Sequence, residues 1–391
     1  MIVTAFSFLP LAIWACLLLG RGGFWRCRER DDTVDTHHVG DGPWPSIAAV
    51  VPARDEASVI GESVGSLLRQ DYPGRFIVVI VDDQSSDGTV DTARAAALAA
   101  GAPERVRIIT GTNLPRGWTG KIWAMRQGFA AVEAEREPPE FVLFTDADIA
   151  YAPQTLRRLV GIARSKRCAM TSLMVKLRCD SAAERWLVPA FVFFFQKLYP
   201  FAWVNDPKRA TAAAAGGCML VRREALASAG GFEALRNALI DDCALGALMK
   251  RQSAIWLGLT ETVHSLRAYP SFADIRQMVA RSAFAQLRYS VLLLIGTVGG
   301  MVVTYLAPPL LTLMAHGLAR ANGAISWALM ALTFVPTLRL YGRPSVSAFA
   351  LPAIAAAYTV FTLDSALQHW RGRGGYWKGR FQASMGGARD A

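Results

Sequence analysis

The chain has 391 residues, of which 52% are hydrophobic, and a formal net charge of +11, with a mean hydropathy of +0.26. That length holds one large or two modest domains, and the apolar excess argues against a purely soluble enzyme. The basic excess fits an anionic membrane surface, because Arg276, Arg281, Arg288, Arg371, Arg373, Lys378 and Arg380 crowd beside apolar stretches. Nucleic acid is not expected as a partner, since neither zinc-finger spacing nor an RNP-like motif occurs.

Residues 1–20 contain the uncharged run IVTAFSFLPLAIWACLLLG, long enough to cross a hydrocarbon core of about 30 Å as a helix. Its first charge is Arg21, followed by Arg26, Arg28 and Arg30, which is the wrong order for a cleaved signal peptide. The positive-inside rule places the downstream side in the cytoplasm. Residues 21–45 read as a polar juxtamembrane linker, with His37 and His38 as solvated linker residues that lack a third metal ligand nearby. The six cysteines form no CxxC pair and suit a reducing compartment.

Residues 46–266 alternate between apolar runs (IAAVV, FIVVIV, VRIIT, FVLFT) and helix-like segments at 57–69, 89–100 and 121–134. This pattern predicts an α/β domain with a mainly parallel sheet and helices on both faces. In such a sheet the ligand sits beyond the carboxyl ends of the strands. Those ends carry PARDEA (52–57), DDQSSDGT (82–89) and TDADI (145–149).

Asp146 and Asp148 stand at i and i+2, so in an extended segment they project from one face and repel unless a proton, a cation or water intervenes. A shared-proton pair, a metal site and a solvated loop all meet that condition. No GxGxxG is present, and PRGWTGKIW (115–123) lacks the leading Gly and the Ser or Thr of a P-loop. A nucleotide can instead be held by carboxylates that accept from base and ribose, with a divalent metal bridging a second pair to the diphosphate. The acids at 82, 83, 146 and 148 can divide the work in that way. Asp241 and Asp242 precede a helix-like ALGALMKR, where a carboxylate also serves simply as a cap.

The segments VVPARDEASVI, VDDQSSDGT, TDADI, GGCMLVRREAL and LIDDCALG, in this order, resemble the family 2 glycosyltransferases of GT-A fold. Within that superfamily GWTGKIWA (117–124), RSAFAQLRYS (281–290) and GGYWKGR (374–380) are most similar to the hopanoid-biosynthesis-associated membrane glycosyltransferases. The resemblance implies that Pro52 and Glu56 with Asp82 or Asp83 line the nucleotide pocket. It implies that Asp146 and Asp148 bind Mg or Mn, and that Asp242 is the base. Lys121 is placed either against the diphosphate or at the surface, Gly217 beside the donor or acceptor, and Arg281 near the diphosphate. Asp55 stands where many relatives carry Asn. QMVARS (277–282) departs from the QxxRW of processive synthases, which argues for a single transfer.

Residues 186–204 read as an interfacial helix or acceptor entrance, being aromatic but interrupted by Pro189, Gln196, Lys197 and Pro200. An interfacial amphipathic segment is expected over 267–289, a membrane region over 290–370 and a basic tail over 371–391. Three crossings at 290–316, 324–338 and 346–366 would strand the basic tail outside. One of them is therefore expected to be re-entrant or to hold two short helices around Pro308 and Pro309.

The expected protein is a multi-pass enzyme of a bacterial-type inner membrane with a cytoplasmic catalytic domain. It moves a sugar from a nucleotide-sugar donor, UDP-linked by expectation, to a lipid acceptor such as a hopanoid, or to a polyprenyl phosphate or other glycolipid. A nucleotidyltransferase would need a Gly-rich, basic loop after the first strand, which PARDEAS does not supply. A non-catalytic scaffold would tolerate loss of Asp242.

Overall fold

The computed structural model describes residues 1–36, 42–236, 238, 240–372, 376–377 and 380–381. His37, His38 and most of the basic tail lie outside the described residues. The chain divides into two compact units. One comprises Met1–Arg28, Cys179–Ala202 and Tyr269–Gly374, and the other Glu29–Arg178, Trp203–Ala268 and Gly375–Ala391. The stretch Cys179–Ala202, within the span 46–266 expected for the catalytic domain, groups with the apolar helices through its helix Ala182–Leu198.

The second unit is built on an eight-stranded sheet in the order β3-β2-β1-β4-β7-β6-β8-β5. The strands are β1 Ile47–Ala53, β2 Phe76–Asp82, β3 Val106–Thr110, β4 Phe141–Phe144, β5 Ile149–Tyr151, β6 Met170–Lys176, β7 Met219–Arg222 and β8 Ile255–Ser265. Strand β1 pairs in parallel with both β2 and β4, and β2 with β3, as alternation with helices requires. Strand β7 runs antiparallel between β4 and β6, and β5 antiparallel to β8, so the sheet is mixed beyond the first four strands.

All of β1 is buried because both faces are covered. Ile47, Ala49 and Val51 pack with Ile60, Val64 and Leu67 of helix Ile60–Leu68 and with Leu156, Leu159 and Val160 of helix Thr155–Ser165. The opposite face carries helix Gly120–Glu133 at close range, where a Cβ on Gly128 would run into Val50 and Val81. The sheet order turns at β1, flanked by β2 and β4, and the carboxyl ends of these strands therefore open on one crevice.

In the other unit, among the described residues, four helices are long and apolar enough to cross a membrane: Ile2–Gly20, Val291–Met314, Gly317–Leu340 and Ser345–Trp370. Val291–Met314 contains a π-helical stretch, Val302–Leu306, just before Pro308 and Pro309. Neither proline has an N–H to give, so the carbonyl of Thr304 has no partner along its own helix. The Trp14 indole N–H donates to it at 2.7 Å, and its ring meets Tyr305 edge-on. Helix Ala182–Leu198 has 17 residues, shorter than a full span, and opens with a capping box made by Ser181 and Glu184.

Candidate functional site

Two loops at the carboxyl ends of β1 and β2 are knitted together by side chains. The Asp55 N–H donates to Ser85 Oγ (3.0 Å), Glu56 N–H to Thr89 Oγ1 (2.8 Å) and Ala57 N–H to Asp87 Oδ2 (2.9 Å). Asp55 adopts φ of 50°, a left-handed conformation that Asp and Asn tolerate best, and its carboxylate accepts from Ser86 N–H at 2.9 Å. An Asn there would keep both features. Asp82 ends β2 and accepts from Ser85 N–H, while buried Asp83 is held by its own N–H on Ala53 O and by the Arg54 guanidinium 3.8 Å away. Pro52 lies inside β1, opposite Val81.

The carboxylates after β4 are both paired with cations. Lys121, near the start of helix Gly120–Glu133, places Nζ 2.7 Å from Asp146 Oδ1 and 3.1 Å from Asp241 Oδ2. Arg267, just past β8, donates to Asp148 Oδ2 at 2.6 Å and to Glu56 Oε1 at 2.8 Å. A single guanidinium thus joins the β1 loop to the β4 end. It neutralises two buried acids whose charges would otherwise repel.

Asp242 begins helix Asp241–Gln252, where backbone N–H groups favour a carboxylate. Its Oδ1 accepts from Cys243 N–H (2.7 Å) and its Oδ2 from Gly216 N–H (3.0 Å). Burial, with Asp241 beside it, pushes its carboxyl up to about 6 despite Lys121. Burial likewise raises Asp146. Burial opposes the charge of Lys121, but Asp146, Asp241 and Asp242 together hold its ammonium above the ordinary range. The last turn of the same helix supplies Lys250, whose Nζ donates to the carbonyls of Trp203 (3.2 Å), Val204 (2.8 Å) and Thr211 (2.6 Å). One helix therefore presents Asp242 and anchors the loop that leads to Gly216. That loop borders an open cleft of about 510 Å³ lined by Trp203, Asp206, Lys208, Arg209, Ala210 and Thr211.

The structure thus gathers Lys121, Asp146, Asp241 and Asp242 into one charged cluster and ties Glu56 to Asp148 through Arg267. It places Gly216 at the cluster, where a Cβ would lie 3.3 Å from Lys121 Nζ and 3.4 Å from Asp242 Oδ2. Gly217 faces inward instead, toward Val175 and Ile149, with its carbonyl 3.1 Å from the Tyr151 hydroxyl. Arg281 belongs to the other unit, at the end of helix Phe272–Ala280. Arg267 and the pairing of Lys121 with Asp241 were missed from the sequence. The signal available for Arg267 was its place two residues beyond a strand, in HSLRAY.

Mg²⁺ and Mn²⁺ favour oxygen donors, and Mg²⁺ commonly uses one or two carboxylates while keeping water and substrate phosphates as its other ligands. The pair Asp146 and Asp148 fits that donor set, and both already hold positive charge. Among the described residues no three His, Cys, Asp or Glu side chains converge into a preformed cage.

The sequence model of the family described as "Glycosyltransferase like family 2" matches residues 45–279, more than half of the chain. The chain belongs to this family, and its sheet is of the GT-A kind. Among curated proteins it is similar to an N-acetylglucosaminyltransferase of Rhizobium leguminosarum bv. viciae, 28% identical over 161 residues. That match covers 41% of this chain and 35% of the relative. An N-acetylglucosaminyltransferase of Mesorhizobium japonicum is 28% identical over 197 residues, 48% of this chain and 41% of the relative. The match therefore spans less than half the length of either relative. Among solved structures, mannosyltransferase PcManGT from Pyrobaculum calidifontis, in complex with GDP-Man and Mn²⁺, superposes with a TM-score of 0.53 at 19% identity. The superposition covers 94% of this chain and 99% of that one.

Proposed function

We propose that the protein is a membrane-bound, inverting glycosyltransferase that moves a sugar from a nucleotide-diphosphate donor to the hydroxyl of a lipid acceptor in a single displacement. The observation that carries this reading is Asp242: a carboxylate fixed by two backbone N–H groups, raised to about 6, beside Lys121 and the Asp146 carboxylate. A base of that kind is ionised near neutral pH and still basic enough to take a proton from an alcohol as it attacks the anomeric carbon.

The other residues divide around that step. Glu56 and Asp82 or Asp83 accept from the base and ribose of the nucleotide, on loops held rigid by Ser85, Asp87 and Thr89. Lys121 supplies positive charge next to the departing diphosphate, and Gly216 leaves room for backbone to approach the reacting sugar. Asp146 and Asp148 would hold Mg²⁺ or Mn²⁺, which neutralises charge developing on the diphosphate. The GDP-Man and Mn²⁺ bound by PcManGT support a nucleotide-sugar donor and a divalent metal.

The lipid acceptor is supported by four membrane-length helices in the same chain as the donor site. The basic residues beside them favour a multi-pass protein of the cell membrane with its catalytic unit in the cytoplasm. The resemblance to hopanoid-associated enzymes directs the choice of acceptor toward a polycyclic or polyprenyl lipid. The relatives' names put N-acetylglucosamine first among donor sugars to be tried.

The test is incubation of the purified protein with a panel of nucleotide sugars, Mn²⁺ or Mg²⁺ and a membrane lipid extract, followed by mass spectrometry. One donor should be consumed, with a lipid gaining the matching sugar mass, and Asp148→Ala should lose the product. The reading fails if every donor survives and no lipid changes mass.

A further inference from the structure

Length and composition alone would make Ser345–Trp370 a third crossing after the catalytic unit, stranding Arg371, Arg373, Lys378 and Arg380 on the far side. We propose instead that residues 341–370 form a re-entrant hairpin, entering the bilayer from the side of the catalytic unit and returning to it, so that the chain ends on that side. This rests on the membrane reading above, and its argument lies wholly within the unit of apolar helices.

The near side is where the chain passes between units, after Arg28 and at Tyr269. The segment arriving at Tyr269 leads directly into Val291–Met314, and Leu294 packs with Phe284 of that segment, so this span starts near and ends far. Helix Gly317–Leu340 comes back. A Cβ on Gly323 would touch Leu311 and the backbone of Thr312 and Pro308, and Asn322 Nδ2 donates to Ser7 Oγ at 2.9 Å. Toward its other end Thr337 Oγ1 is 3.5 Å from Cys27 Sγ, next to the point of exit. Leu340 is therefore near.

A third crossing would now run from Tyr341 outward and leave Trp370 far, but the contacts run the other way. The end of the helix lies against the incoming segment. Phe284 N–H donates to Ser365 Oγ at 3.0 Å, Ser365 Oγ donates to Ala280 O, and Tyr289 stacks on His369 at 4.3 Å. Arg276 pairs with Asp364 at 3.3 Å. At the start of Ser345–Trp370 the carbonyl of Phe349 accepts from Trp327 Nε1 at 3.1 Å, and the two rings meet edge-on. Trp327 stands 13 residues before Leu340, about 20 Å back along its helix at 1.5 Å per residue. Between Leu340 and Phe349 the chain must therefore climb about 20 Å into the bilayer, and Leu351–Trp370 brings it back. The two helices run in the same direction, which a simple pair of crossings cannot do.

The climbing piece meets the demand that hydrocarbon makes on a backbone. The N–H groups of Tyr341, Gly342 and Arg343 donate to Thr337, Arg339 and Leu338, with Gly342 at φ of 62° turning the helix end. Pro344 has no N–H, and Ser345–Ala350 is a 3₁₀ helix that bonds internally. Val346 and Phe349 are 73% and 51% exposed, as lipid-facing side chains are. The hairpin leaves Arg339, Arg343 and Arg371 on the same side as Arg21, Arg26 and Arg28, in keeping with the charge rule.

The test uses the full chain in a bacterial membrane. Fused after Ala391, green fluorescent protein should fluoresce and alkaline phosphatase should be inactive. A membrane-impermeant maleimide should label His316→Cys in intact cells above the wild-type background. It should label Arg371→Cys and Glu104→Cys only in inside-out vesicles. Active phosphatase after Ala391, or Arg371→Cys labelled in intact cells, overturns the hairpin. Release of the wild-type chain from membranes by alkaline carbonate is a different outcome, which defeats the membrane reading itself and the hairpin with it.

Discussion

As the proposed base, Asp242 links pH to both rate and stability. In the folded chain its carboxyl is raised to about 6 by burial and by Asp241, whereas an unfolded Asp titrates near about 4. Between these values the native state binds the extra proton, so this group's contribution to stability is complete below about pH 4 and is lost as pH rises through about 6. Asp242→Asn removes that slope. The melting temperature of the variant, read against wild type from pH 4 to 8, should gain on it until about pH 6 and then stay level. The wild-type rate should rise over the same range as the proposed base ionises, whereas the variant should show no such rise and should be about 10²–10⁴-fold slower above pH 6. Arg267 makes a second case. Its removal leaves Glu56 and Asp148, both 10% exposed in their side chains, without their shared guanidinium. Breaking a buried pair costs about 3–5 kcal/mol, and the 36% exposure of Arg267 places Arg267→Ala near the low end, about 3 kcal/mol. Denaturant unfolding should show that loss without metal and a smaller one with Mn²⁺ and UDP, because metal can replace the missing charge on Asp148. The acids were legible from the sequence because they stand at the ends of apolar runs, where periodicity alone marks a site. Their partners were not, because Lys121 and Arg267 reach Asp146 and Asp148 through tertiary pairing that no local pattern encodes.

The helix Gly120–Glu133 shows how an element sets the site. It approaches the sheet through Gly128, where an added Cβ would meet Val50 and Val81, and Lys121 stands seven residues earlier, on the same face two turns away. Gly128→Ala should push the helix off the sheet and cost about 1–3 kcal/mol, as overpacking of a tight core does. It should also raise KM for the donor more than it lowers kcat, because Lys121 moves with the helix. Unchanged donor KM in a destabilised variant would separate packing from positioning. The parallel core β3-β2-β1-β4 and its covering helices followed from the alternation of strand-like and helix-like runs. The antiparallel insertion of β7, and of β5 beside β8, did not, because strands of four and three residues carry too little periodicity to show their direction. The same limit hid the grouping of Cys179–Ala202 with the apolar helices. Helix Ala182–Leu198 follows β6 in sequence like any crossover helix, yet its aromatic face packs on the apolar helices, where Phe193 meets Phe24 at 5.4 Å and Phe334 at 5.2 Å.

The division into two units predicts that donor handling and acceptor handling can be impaired separately. The acids that would hold the nucleotide all lie in the unit carrying the sheet, whereas the proposed lipid acceptor would be met by the unit of apolar helices. Trp14 is fully buried in the latter, and its indole satisfies the Thr304 carbonyl that Pro308 and Pro309 leave without a helical partner. In hydrocarbon such a carbonyl has no water to turn to, so its loss adds to the cavity left by a large aromatic. Trp14→Ala should cost the helical unit about 3–5 kcal/mol, in the range for aromatic truncation. In detergent micelles, calorimetry should find its affinity for UDP with Mn²⁺ close to that of wild type, while transfer to lipid, followed by mass spectrometry, falls sharply. A truncation that merely lowered the amount of folded protein would reduce both signals in proportion. A parallel loss of UDP affinity per folded molecule would mean instead that the helices shape the donor site, and that the two halves of the reaction are not separable along this boundary.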